Sequence, residues 1–445
     1  MRRRRHNDDP DPGPANEEST RLTPPAEGAA RPRAILAALM LAAMAYSQLQ
    51  AMVGPALPTL QREFGADTSD LAWIMNGFIL SAAVATPVAG RLGDMFGRRR
   101  VLLVALVLLA VGTAMCGIAQ TLPMMIVGRV VAGLGGAVFP LSFAIVRECL
   151  PRARVGPAIG LLSALVGVGG GVGIVAAGPI ISHLSYHWLF WLPLVLIAAA
   201  LAATVAWVPG DASRVPGRVD WVGALLLSGA LVGLLSALAR AGTWGWTSSA
   251  VLALFVGSGV LLAAWVWQAG RTTDPLIDLR TMRLRAVWAA NATAVLCGIT
   301  MSTSMFLLPQ MGAQPRDTGF GLGMDITRAG LLILPQSFTI LLAGVVGGRA
   351  CARYGTRAVL MSGALAGGSG LVVIAFLHHE PWQAFLGSAV VGLGTGFVQT
   401  ALGTLVVDAV PAEQTAAAAG ANTVARNIGM TLGAQQAATI LGAGG

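Results

Sequence analysis

Apolar stretches long enough to cross a bilayer recur along almost the whole chain, and nothing else in the sequence restricts the fold as much. A stretch of about 18 or more apolar residues is read as a spanning helix. In hydrocarbon every backbone N–H and C=O must be bonded within the segment or to a neighbour, which leaves helices as the expected form. Such stretches lie near 34–57, 71–90, 101–119, 123–146, 155–181, 188–208, 222–239, 249–268, 286–309, 327–347, 358–377, 382–408 and 415–441. The expected fold class is all-α: a polytopic membrane protein with thirteen visible spans. Composition agrees. Charged residues make up 11% of the chain, against about 25% in a soluble domain, and the mean hydropathy is +0.71.

Charge sets the expected orientation. All 29 basic residues are arginine. With residues 1–33 inside, Arg62, Arg240, Arg316 and Arg328 fall outside, Arg129 and Arg426 fall within spans, and the other arginines lie in the tail or in cytoplasmic loops. The reverse orientation breaks the positive-inside rule at almost every loop. The net charge of +9 therefore reports topology, not nucleic-acid binding. Trp188, Trp191, Trp244, Trp246 and Trp382 fall at expected outer ends, as an aromatic belt should. Residues 1–33 form a disordered cytoplasmic tail in this reading: four arginines and then Asp, Pro, Glu and Gly, without the apolar run of a signal peptide. The four cysteines show no metal spacing and read as free thiols.

One loop stands apart. Gly90-Arg91-Leu92-Gly93-Asp94-Met95-Phe96-Gly97-Arg98-Arg99-Arg100 joins two apolar stretches as a tight hairpin. Its glycines permit a sharp turn and close helix approach. Asp94, the only acid among its arginines, calls for a dedicated partner. A degenerate copy runs from Gly348 to Arg357, with Ala352 in place of the acid and the outer glycines, Gly348 and Gly355, spaced as Gly90 and Gly97 are. Two related hairpins far apart in one chain argue for a duplicated bundle.

The hairpin resembles the loop between spans two and three of the major facilitator superfamily, G-x-L-x-D-x-x-G-R-R/K. The whole chain is similar to the fourteen-spanner drug:proton antiporters of that superfamily. Gly54-Pro55-Ala56-Leu57-Pro58 resembles the end of their first span, Ser185-Tyr186-His187-Trp188-Leu189-Phe190-Trp191 the start of the sixth, Val219-Asp220-Trp221-Val222-Gly223 the start of the seventh, and Asp274-Pro275-Leu276-Ile277-Asp278-Leu279 the segment before the ninth. The resemblance implies two pseudo-symmetric helix bundles, 34–208 and 286–445, joined by a linker at 209–285 that carries two extra helices. It also implies a fourteenth span that is not visible before Gly445, so the second bundle is expected to be incomplete.

The same resemblance implies roles for residues. Gly90, Arg91, Asp94, Gly97, Arg98 and Arg99 would form a gating motif, with Asp94 locking the cytoplasmic side through ionic and helix-end contacts; a static hairpin salt bridge is the alternative. Arg129, in Gly128-Arg129-Val130-Val131-Ala132-Gly133-Leu134-Gly135-Gly136, matches the family's span-four arginine, implicated there in proton coupling. A central arginine costs about 2.5–3.5 kcal/mol on insertion scales, so it should face the bundle interior; snorkelling to the outer headgroups is the alternative. Arg426, in Val424-Ala425-Arg426-Asn427-Ile428-Gly429, resembles the R-x-x-G of span thirteen. Gln48, Gln50, Asn76 and Asn291 are polar groups inside spans that either line a cavity or bind helix to helix. Gly133, Gly169, Gly173 and Gly178-Pro179 are expected to pack or bend helices.

The family's span-one aspartate has no counterpart. Counting back from Pro58 puts Leu49 in its place, and no Asp or Glu occupies the middle of any span. Glu148, Asp220 and Asp408 sit at cytoplasmic ends and Asp70 at an outer one. Lack of a buried acid weakens the case for a cationic substrate, and Arg129 suits a neutral or weakly acidic one. No triad, HExxH motif or cysteine cluster points to an enzyme, a cofactor or a metal. The expected function is proton-coupled export of a hydrophobic drug, antibiotic or secondary metabolite by alternating access. It would act as a plasma-membrane monomer whose partners are the bilayer, protons and a small molecule. A proton-independent facilitator or importer, or a transport-dead sensor, is the alternative.

Overall fold

A computed structural model describes residues 32–66, 68–210, 220–273, 275–316, 321–324, 326–377, 380–411 and 414–443. The tail expected at 1–33 therefore lies almost wholly outside the described residues, as does Asp274. The described residues form helices and no strands. In the first half these are α1 (Pro32–Phe64), α2 (Thr68–Phe96), α3 (Arg98–Gly117), α4 (Leu122–Gly133), α5 (Val138–Cys149), α6 (Arg152–His183) and α7 (Trp188–Trp207). Two helices follow, α8 (Trp221–Trp244) and α9 (Ser249–Ala269), and then a single turn, α10 (Leu279–Met282). The second half holds α11 (Arg285–Ala313), α12 (Ile326–Leu331), α13 (Leu334–Tyr354), α14 (Thr356–Phe376), α15 (Pro381–Ala409) and α16 (Thr415–Ala443).

Among the described residues twelve segments are long and apolar enough to cross a membrane. The thirteenth expected span is α16, which matches them with 29 residues but carries Asn422, Thr423, Arg426, Asn427, Gln435 and Gln436. Such a helix is stable in a membrane where protein covers its polar face. Three boundaries differ from the sequence reading. The first helix does not end at Pro58 but continues to Phe64, where Gly65 turns out with φ 57°. The fourth span is not one helix: α4 and α5 are separated by a turn at Leu134–Ala137, where Gly135 and Gly136 pack within van der Waals range of Ala105 and Ala82. The tenth span is likewise divided, into α12 and α13.

Two motifs in the linker resolve into helix caps. Asp220 accepts from the Gly223 amide at 2.7 Å and starts α8. Asp278 accepts from the Arg280 amide at 2.8 Å and starts α10. A side-chain acceptor at this position satisfies an otherwise orphaned donor of the first turn. The Ser185–Trp191 motif seals the α6–α7 turn onto the end of α3: the Tyr186 hydroxyl donates to Ala119 O at 2.7 Å, and His187 Nδ1 lies 2.9 Å from Gly117 O.

The two halves repeat one packing scheme. In the first, α1 packs on α6 and α7, and α2 and α3 pack on α4. In the second, α11 packs on α16, and α13 and α14 pack on α15. The apolar core is densest in the first half, around Leu39, Leu49, Met52, Ile74, Phe78 and Leu106. The halves meet along two seams, α6 against α13 and α2 against α16. Helix α8 lies over the second seam only, touching both α2 and α16. There Arg240 stands 5.3 Å from the Trp73 ring and Gln435 Nε2 donates to Ala239 O at 3.0 Å. Exposed tryptophans mark both interfaces: Trp188, Trp244, Trp246 and Trp382 at one end, Trp207, Trp221, Trp267 and Trp288 at the other. Tryptophans are enriched at the two membrane–water interfaces of spanning bundles.

Glycine lets the seams close at the arginine-rich end. A Cβ added to Gly348 would stand 2.5 Å from Pro157 Cα and 2.8 Å from Gly156 O across the α6–α13 seam. Gly178 differs: nothing lies within 4 Å of its Cβ position, so it is not a close-packing glycine. Helix α6 runs unbroken through Gly178-Pro179. Overpacking a tight contact costs about 1–3 kcal/mol. Gly348→Leu is expected to lower the thermal unfolding temperature of the detergent-solubilised protein accordingly, while Gly178→Leu leaves it unchanged; equal shifts would contradict the close-contact reading.

Candidate functional site

The hairpin after α2 is held by one buried arginine. Asp94 ends the last turns of α2 and is 3% exposed; Arg98 opens α3 and is 5% exposed. Gly97 between them takes φ 106°, a conformation side chains disfavour, and this returns the chain so that Arg98 faces back onto Asp94. Arg98 Nη2 and Nε donate to Asp94 Oδ1 at 3.2 and 3.3 Å. Arg98 Nη1 donates to Ala144 O and to Glu148 Oε2, both at 3.2 Å. One guanidinium thus ties α2, α3 and α5. Asp94 has the partner the sequence calls for. Glu148, placed by sequence at a cytoplasmic helix end among the acids that could titrate if protons drive transport, is the second anion of Arg98.

The hairpin also touches the other half. A Cβ on Gly90 would lie 2.9 Å from Ala416 O, at the start of α16. The Ala417 backbone N–H lies near the Asp94 carboxylate, whose Oδ2 is buried without a hydrogen-bond partner. A carboxylate is stabilised by the positive end of a helix dipole. Arg147 adds a clasp, donating from Nη1 to Val410 O at 2.8 Å and to the Thr415 hydroxyl at 2.7 Å. The degenerate hairpin repeats the arrangement: Gly355 takes φ 85° as Gly97 does, and Gly348 packs on the start of α6 as Gly90 packs on the start of α16. Of the remaining gating residues, Arg99 donates to Val205 O at 2.7 Å, pinning α3 to α7, and Arg91 lines an open polar cleft with Asp94, Asp278 and Arg280.

Arg129 faces the bundle interior, not the headgroups. It is fully buried. Its Nε donates to Ile74 O at 3.0 Å and its Nη1 to Leu49 O at 3.4 Å, while Cζ sits 4.3 Å from the Phe78 ring centroid. Nη2 is buried without a partner. The guanidinium therefore lies against the backbone of Leu49, the position where the resembled family carries an acid. In the second half Ser388 occupies the matching place and donates to Leu332 O at 2.6 Å. Both side chains bond a carbonyl in the equivalent neighbouring segment, although only one is charged.

A narrow crevice of about 10 Å³ lies between the halves. Phe139, Phe143 and Ser163 line it from the first half, and Gln399, Asn422 and Arg426 from the second. Tyr46 packs edge-on to Phe139 at 6.0 Å and against Phe78 at 5.5 Å. Other sequence candidates lie elsewhere. Asn76 lines a recess by Trp73 and Arg240 beneath α8. Asn291 bonds Asn422 at 3.2 Å and belongs to helix-to-helix packing. Gln48 is buried with Oε1 unpaired, and Gln50 is half-buried. Gly133, Gly169 and Gly173 lie close against Phe78, Ser47 and Gln48 respectively. The Asp70 side chain lies outside the described residues. Among the described residues no group of His, Cys, Asp and Glu could hold a metal.

Two helical bundles of like construction, rich in spanning helices, define a multi-pass membrane protein. Residues 39–434 match the Major Facilitator Superfamily, and the chain belongs to that family. It is 29% identical over 408 residues to an MFS-type transporter of Mycobacterium tuberculosis, covering 90% of this chain and 58% of that protein. The tetracenomycin C resistance and export protein of Streptomyces glaucescens is 28% identical, covering 91% of this chain and 74% of that one. Multidrug resistance protein 3 of Bacillus subtilis is 24% identical, covering 90% and 77%. The chain thus spans little more than half of the first relative's length. Among solved structures, the human organic anion transporter MFSD10 (TETRAN) superposes with a TM-score of 0.67 over 92% of this chain and 93% of that one, at 17% identity, a likeness of fold.

Breaking a buried pair by removing one partner costs about 3–5 kcal/mol. Asp94→Ala is expected to destabilise the purified protein by that order in chemical denaturation, and Arg98→Ala/Asp94→Ala together by less than the sum. Strict additivity would show that the two side chains do not act as a pair.

Proposed function

We propose that the protein exports hydrophobic drugs, antibiotics or secondary metabolites across the plasma membrane. Its arginine-rich end would face the cytoplasm and its N-terminus lie inside. The observation that carries this reading is the closure of both seams at the arginine-rich end, by backbone contact through Gly90 and Gly348, over a cavity shared by the two halves. The crevice would widen to admit a compound as the halves part. Rocking of the halves about it would open the arginine-rich end and close the other. The relatives named for multidrug resistance and for tetracenomycin C export support the direction and the substrate type. The arginine distribution supports the orientation. Nothing in the site calls for an enzyme, a cofactor or a second copy of the chain.

Proton antiport is the proposed coupling. Moving one charge across 100 mV is worth about 2.3 kcal/mol, enough for a roughly fiftyfold gradient. Of the two acids that are buried among the described residues, Asp220 is committed to capping α8, which leaves Asp94. It lies where the first half meets the start of α16, so its charge and the closed state would be linked. Leu49 at the family's acid position favours a second reading, a proton-independent facilitator.

Cells producing the protein should accumulate less of at least one compound in a broad antibiotic and dye panel than cells without it. Equal levels throughout would count against export. Collapse of the pH gradient with an ionophore should abolish the difference, whereas persistence would favour the facilitator. Asp94→Asn should remove efflux while leaving membrane insertion intact; full activity in that variant would remove the gating role.

A further inference from the structure

The cavity between the halves contains a cation without a counter-charge. Arg426 projects from α16 into it, partly exposed to the empty space. Its guanidinium makes no hydrogen bond, ion pair or ring contact among the described residues. The other arginines buried in the bundle are accommodated: Arg98 by two carboxylates, and Arg129 by two carbonyls and the face of Phe78. A guanidinium does not lose its proton to escape such a place. A buried charge persists where a partner of opposite sign comes to it. The cavity lining contains no Asp or Glu.

The neighbours of Arg426 divide into committed and uncommitted groups. Asn422 Nδ2 is fixed to Ala290 O and Asn291 Oδ1, both at 3.2 Å. The Thr423 hydroxyl is bonded to Ala419 O at 3.0 Å. Gln399 is unspent: its Nε2 reaches only Met301 Sδ, at 3.9 Å, and its Oε1 is buried and unpaired. The opposite wall is aromatic, with Phe139 and Phe143 6.4 Å apart. One wall thus offers ring faces and edges, the other a free cation beside an adjustable amide.

We infer that Arg426 is the counter-charge for an acidic group on the transported compound, and that the substrate class is an apolar aromatic weak acid bound as its carboxylate or phenolate. The crevice is too narrow for a ring in the closed arrangement, so the ring system would lie against Phe139 and Phe143 once the halves part. The acid group takes two N–H donors from the Arg426 fork, with the Gln399 amide turned to assist. An organic cation meets Arg426 with no carboxylate to offset it, so the same feature selects against cations. The inference rests on the export reading only for the word transported; binding itself is independent of it.

Isothermal titration of the purified full chain in a neutral detergent, with three probes of one ring system, tests this. 2-Naphthoate, 2-naphthamide and 2-naphthylmethylammonium differ in charge at almost constant shape. A charge-assisted fork is worth about tenfold or more in affinity over a neutral contact. Naphthoate should therefore bind at least about tenfold more tightly than naphthamide, with the ammonium weakest. Arg426→Gln should bring naphthoate down to the naphthamide affinity, and Arg426→Lys should keep most of the preference. Equal binding of the first two probes, a preference for the ammonium, or no naphthoate binding overturns the inference from the parent protein alone, whether or not the variants fold. A preference that survives in a folded Arg426→Gln also overturns it. A carboxylate preference without any efflux in cells would overturn export and leave the anion site standing; efflux of compounds without charge preference would do the reverse.

Discussion

Backbone contact between the halves at the arginine-rich end is the constraint from which the rest of the arrangement follows. In lipid, helices gain little by burying apolar side chains against each other, and close van der Waals approach does the work instead. Gly90 against Ala416 and Gly348 against Pro157 bring main chain to main chain at both seams. Because these contacts are short and unbranched, few atoms have to separate for the seams to part. The same glycines start the two hairpins, and each hairpin ends on a glycine of positive φ. The duplication is therefore a duplication of the contact itself, not only of helices.

Charge is laid over this frame unequally. At the first hairpin Arg98 gathers Asp94 and Glu148, and Asp94 in turn meets the amide end of α16. At the second, Ala352 leaves the hairpin without an acid, and Gly348 packs on Pro157 and Gly156. Deeper in, Arg129 binds carbonyls where Ser388 does the same in the other half with a neutral hydroxyl. The first half is thus the charged, tightly cored one. The second contributes the amides and the free Arg426 to the shared cavity. Helix α8 covers one seam and not the other, so the two lateral faces of the bundle differ toward lipid.

Much of this was legible in the sequence. Long apolar stretches, the two hairpins and the arginine asymmetry lead directly to a duplicated bundle, because in a bilayer length and polarity leave few other choices. The buried position of Arg129 follows from its cost in lipid. What stayed hidden depends on contacts distant in sequence. Glu148 becomes a partner of Arg98 only when α5 crosses the hairpin, and Gly178 looks like a packing glycine until its surroundings prove empty. The break between α4 and α5 falls in a run that reads as one apolar span, since Gly135 and Gly136 are as compatible with tight packing as with a turn. Asp220 and Asp278 of the linker motifs proved to be caps, a role their spacing to Gly223 and Arg280 could have disclosed.

The central claim is that the arginine-rich ends of the two halves close and part as a unit about the shared cavity. Distances between spin labels at Arg100 and Arg357, on a background lacking Cys116, Cys149, Cys297 and Cys351, measure this directly. Two distance populations are expected, a shorter one for the closed arrangement described here and a longer one, exchanging weight when the pH is changed. A single distance that no change of pH or added naphthoate shifts would contradict the account.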